Sequence, residues 1–63
     1  MCDANAYLIG DDGTEEVVLE SVDLVELNGD QAILTNIFGE QRVLKARLRR
    51  FDNSQGRLLF EPV

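Results

Sequence analysis

The chemistry open to this chain starts at residue 2. Cys2 is its only cysteine, it follows Met1 directly, and the 63 residues contain no histidine. A thiol beside terminal backbone nitrogens can hold a transition ion without imidazole, through thiolate sulfur, amine or amide nitrogen, and carboxylate oxygen. Sulfur and nitrogen donors in a square plane suit divalent nickel or copper. The plainer reading is a cysteine with no role, the common case in small intracellular proteins. Processing of Met1 decides which nitrogen is offered. With Met1 removed, Cys2 carries a primary amine; with Met1 retained, its nitrogen is an amide that must lose a proton. Asp3 adds a carboxylate, a poor match for a soft ion, and reads as surface charge.

Other reactive sets are missing. Without histidine there is no ready general base, and Ser21 and Ser54 stand in turn contexts with no base partner. Zinc sites need several cysteines or histidines. Gly10 and Gly13 lack the lysine that follows in a phosphate loop. Asp11-Asp12 lacks the spaced oxygen ligands of a calcium loop. These omissions argue against an enzyme.

The elements that must carry Cys2 are short. Turn residues recur every eight to twelve positions, a strand rhythm rather than a helical one. Strands are expected over 5–9, 15–19, 22–27, 31–36, 41–51 and 57–61, with Val17 and Leu19 sharing one face of the second. Gly10-Asp11-Asp12-Gly13 makes the first turn. Asn28-Gly29 is the strongest hairpin signal, and both residues tolerate the positive φ of a type I′ turn. The stretch 42–51 is ambiguous: Leu44, Ala46 and Leu48 alternate with basic residues as in a strand, while Leu44, Leu48 and Phe51 also fit a helix face. The surrounding hairpins favour strand. The expected fold is all-β, a small, strongly bent antiparallel barrel of five to six short strands, closed to protect its edges.

Sixty-three residues make a single domain, 1–63, that buries only about 60% of its unfolded surface, so it is marginally stable alone. The lack of an apolar leader or a long apolar run reads as soluble and cytoplasmic, with no membrane partner. Net charge is −6, unevenly spread: residues 1–40 hold ten acidic groups and no basic one, and all six basic residues fall between Arg42 and Arg57. That segment reads as pairing with acidic neighbours across the sheet. As a nucleic-acid surface it is disfavoured, because a sequence pI near 4.3 means a field that repels phosphate.

Met1-Cys2, the length near 60 residues, and the run Leu34-Thr35-Asn36-Ile37-Phe38-Gly39-Glu40-Gln41 leading into Val43-Leu44-Lys45-Ala46-Arg47-Leu48 resemble the CooT family of small nickel-binding proteins. The likeness spans nearly the whole chain. It implies an SH3-like barrel that pairs as a homodimer, Ni(II) as the metal, Cys2 as its ligand, and a part in maturing a nickel enzyme such as carbon monoxide dehydrogenase. A physical argument runs beside it. One thiolate holds nickel poorly, but a two-fold axis near the terminus brings equivalent residues together. Two copies of Cys2, each giving sulfur and nitrogen, make an N₂S₂ square, and the metal then stabilises the dimer.

Two alternatives stay open. Hydrogenase maturation chaperones of the HypC type also begin with methionine and cysteine, and a protein-docking role in metallocentre assembly would suit Cys2. This chain reads Met1-Cys2-Asp3-Ala4, without their alanine-proline continuation. An Sm-like RNA binder would use Lys45, Arg47, Arg49 and Arg50, with Tyr7, Phe38, Phe51 and Phe60 for stacking. In so small a domain these four aromatics are expected in the core.

Overall fold

The computed structural model describes residues 4–63. They form six strands in one sheet: β1 (Ala4–Ile9), β2 (Glu15–Asn28), β3 (Gln31–Asn36), β4 (Gln41–Leu44), β5 (Ala46–Asp52) and β6 (Arg57–Pro62). The spatial order is β4-β3-β2-β1-β6-β5. The all-β expectation holds and the 42–51 stretch is strand, not helix. Closure into a barrel does not: the sheet is open, since β4 pairs only with β3 and β5 only with β6. Lys45 alone links these two edge strands, so the edges must meet at that corner, and the sheet curls until β5 lies against β3. Only the Val63 N–H reaches the Lys45 carbonyl there, at 3.4 Å.

Pairing is antiparallel except between β1 and β6, which run parallel with Ala6 beside Leu58. The expected second and third strands are one long strand, β2. Its continuity survives an irregularity at Ser21, whose φ of 58° lies in the left-handed region, a conformation costing a non-glycine residue about 1 kcal/mol. The expected long strand 41–51 is two. Alternation nevertheless carries through the break: Ala46 is buried, and Leu44 and Leu48 pack against the core.

Val17 and Leu19 do not share a face. A register shift between Ala6 and Tyr7 sets Val17 opposite outward Tyr7 and Leu19 opposite buried Ala6. The β2–β3 hairpin also differs from the expected form. Asn28 pairs with Gln31, so Gly29 and Asp30 are its central residues; only Gly29 has positive φ, at 62°. Glycine first with a second residue at negative φ is the sign pattern of a II′ turn.

The core is built from small and aliphatic residues, Ala4, Ala6, Ala32 and Ala46 with Leu19, Val22, Leu34 and Leu58, around Phe60, which is fully buried. Alanines let the inner faces approach closely in a sheet this tightly curled. The other aromatics depart from the core expectation: Tyr7 is half-buried, and Phe51 and Phe38 are exposed. Among the described residues no helix is long and apolar enough to cross a membrane.

Candidate metal centre at the amino-terminal end of the sheet

Cys2, the sequence-derived metal ligand, lies outside the described residues, as does Asp3. What is fixed is the strand they lead into. Ala4 opens β1, an interior strand of the sheet, and is buried opposite Val22 of β2. The next residue is held from both sides. The Asn5 N–H donates to the Gly56 carbonyl at 2.8 Å, and Asn5 Oδ1 accepts the Ser21 N–H at 3.1 Å. The left-handed backbone of Ser21 thereby has its donor satisfied by a side chain three positions after Cys2. On its far side the Ser21 carbonyl accepts the Ile37 N–H at 3.0 Å.

This chain of contacts joins the β1 start to the 36–40 turn. Val22 stands opposite both Ala4 and Asn36, so the three share a row across β1, β2 and β3. Asn36 is 4% exposed and its side chain organises the turn: Oδ1 accepts from the Phe38 and Glu40 N–H groups at 3.1 and 2.8 Å, and Nδ2 donates to Glu40 Oε1 at 2.7 Å. Sequence reading placed a turn here without foreseeing that Asn36 is buried. The signal was available, since Asn tends to bond backbone N–H groups two or more residues onward.

Charge at the sheet surface follows the two-halved sequence in part. Arg57 bonds Glu15 across three strands and lies over the Tyr7 ring, 4.7 Å from its centre. Arg49 reaches Glu61 at 3.9 Å, and Arg47 stands opposite Glu61. Arg42 is exposed and donates from Nε to the Val18 carbonyl at 3.2 Å. The residues suggested for RNA contact are thus interrupted by Glu61 on the neighbouring strand. Two turn aspartates are held below the ordinary carboxylate range. Asp12 is held there by the Thr14 hydroxyl and then the Thr14 N–H, Asp52 chiefly by the Ser54 hydroxyl.

Among the described residues no three Asp, Glu, Cys or His side chains converge as a metal cluster.

Comparison with known proteins covers the same span. The family model described as CO dehydrogenase accessory protein CooT matches residues 1–61, Cys2 included. An uncharacterized protein of Methanocaldococcus jannaschii is 30% identical over 61 residues, covering 97% of this chain and 98% of its own. The crystal structure of a protein assigned to CooT in Carboxydothermus hydrogenoformans superposes with a TM-score of 0.89 at 35% identity, over 98% of each chain.

Proposed function

Because the chain belongs to the CooT family of CO dehydrogenase accessory proteins, we propose that it is a nickel carrier serving maturation of that nickel enzyme. It is an accessory protein and not an enzyme. The observation that carries the nickel reading is the family match across residues 1–61 in a chain whose single thiol is Cys2 and which has no histidine. Thiolate chemistry then has one side chain to use.

In this reading one Ni(II) is cargo shared by two chains. Each Cys2 supplies thiolate sulfur and an adjacent backbone nitrogen, closing a five-membered ring, and the two rings complete a square plane. The homodimer is required because one chain offers only half the donors. The carrier works in the cytoplasm, where thiols stay reduced. Proton competition follows directly: affinity falls as acid protonates the thiolate.

Nickel titration at neutral pH tests this. Thiolate-to-metal charge-transfer absorption is expected to saturate at one ion per two chains and to vanish in Cys2→Ser. Saturation without that band, or an undiminished band in the variant, would defeat the assignment of Cys2.

A further inference from the structure

We propose that Asn28, at the tip of the β2–β3 hairpin, is a site of spontaneous covalent modification: the Gly29 backbone nitrogen displaces its amide, and water then leaves aspartate or isoaspartate. The attack needs an amide open to water, a following nitrogen free of other bonds, and no side chain on the residue that carries that nitrogen. Asn28 and Gly29 are both exposed. Asn28 closes β2 opposite Gln31, which leaves Gly29 and Asp30 outside the ladder. Among the described residues neither the Asn28 side chain nor the Gly29 N–H has a hydrogen-bond partner. The space about Gly29 is open, with nothing within 4 Å of where a Cβ would stand. Glycine also turns more freely than any other residue into the geometry that closes a ring. Nucleophile and carbonyl then react as neighbours on one chain, without the entropy cost of an encounter.

The fold closes the competing sites. Asp12-Gly13 is the carboxylate counterpart, but the Gly13 N–H is committed to the Gly10 carbonyl at 3.0 Å, and Asp12 Oδ1 accepts from both the Thr14 N–H and hydroxyl. Asn36 is buried with both amide atoms bonded, and branched Ile37 follows it. Asn5 Oδ1 accepts the Ser21 N–H, and fully buried Ala6 follows. Asn53 is exposed, but Ser54 after it carries a side chain. The reaction balances with water alone. The Gly29 nitrogen gives its proton to solvent and bonds to Cγ of Asn28. The Cγ–Nδ2 bond breaks, and that nitrogen leaves as ammonia. Water opens the resulting five-membered imide at either carbonyl. Opening at Cγ gives aspartate on a normal backbone. Opening at the α-carbonyl gives isoaspartate, which routes the chain through an extra methylene beside the Leu27–Ala32 pair, whose alanine is in the core.

Incubating the whole folded chain in mildly alkaline buffer tests it, followed by mass-spectrometric peptide mapping and enzymatic methylation of isoaspartate. Asn28 is expected to gain the mass of an NH₂-to-OH exchange, and to accept methyl groups, before Asn5, Asn36 or Asn53 changes, while Asp12 yields no isoaspartate. A parallel sample in urea separates fold from sequence, for there Asp12-Gly13 is expected to form isoaspartate as well. Asn28→Gln is expected to lose the methylation seen in the folded wild type. An Asn28 that stays intact in the folded chain while converting in urea overturns the proposal. So does an Asn53 or Asp12 that reacts first in the folded chain, or methylation that persists undiminished in Asn28→Gln.

Discussion

Asn36 does the work of a ladder partner with one side chain. Its amide satisfies two N–H groups and one carboxylate oxygen within five residues, from a buried position where water cannot substitute. Replacing it by alanine leaves the Phe38 and Glu40 N–H groups without their acceptor, and stability is expected to fall by about 1–3 kcal/mol. Urea unfolding measures the loss, and a change below about 0.5 kcal/mol would show that the turn holds without the amide. Residue chemistry was only partly legible in the sequence. Cys2 stood out as the only thiol in a chain without histidine. Asn36 did not, because asparagine in a turn is usually solvated, and only the fold reveals that it is buried at the end of β3. Phe38 was read as core for the same reason: hydrophobicity is written in the sequence, but the direction in which a turn presents a side chain is not.

Elements were legible where the signal is local. Gln31–Asn36 has the expected bounds, because a glycine turn opens it and Asn36 closes it. The joins were harder. Nothing in an alternating pattern marks Lys45 as a break, since Leu44, Ala46 and Leu48 still face inward on either side of it. Ser21 misled in the opposite direction, for a left-handed serine looks like a turn in sequence yet is tolerated within β2 by the Asn5 side chain. Parallel pairing of β1 with β6 is a non-local choice that strand propensity cannot encode. The turns also set a pH response. Asp12 and Asp52 titrate below their ordinary value in the folded state because hydrogen bonds from Thr14 and Ser54 favour the carboxylate. Their stabilising effect is therefore complete above the unfolded carboxylate pKa and lost as pH falls through the lower folded values. The Thr14 and Gln55 amide resonances are expected to shift with midpoints below the ordinary carboxylate value, and Thr14→Val to raise the Asp12 midpoint. A midpoint for Asp12 that ignores this substitution would contradict the cause assigned.

For the molecule as a whole, the one-residue link at Lys45 is decisive, because it obliges the two sheet edges to converge and makes a curled sheet of 63 residues enclose a core. That core centres on Phe60, packed among alanines. Phe60→Ala is expected to cost about 3–5 kcal/mol, against a total of about 3–9 kcal/mol for a chain this long. Thermal denaturation should show the variant largely unfolded at room temperature; a melting point within a few degrees of wild type would mean that another group carries the core. With so small a reserve, the proposed second copy and shared ion would each add stability by binding only the folded chain. In the proposed carrier, one nickel ion joins two of these chains through Cys2. Native mass spectrometry of the nickel-loaded protein tests it most directly. Two chains with one nickel are predicted for wild type, with no nickel on the Cys2→Ser dimer. Nickel on single chains, or nickel retained by Cys2→Ser, would contradict it.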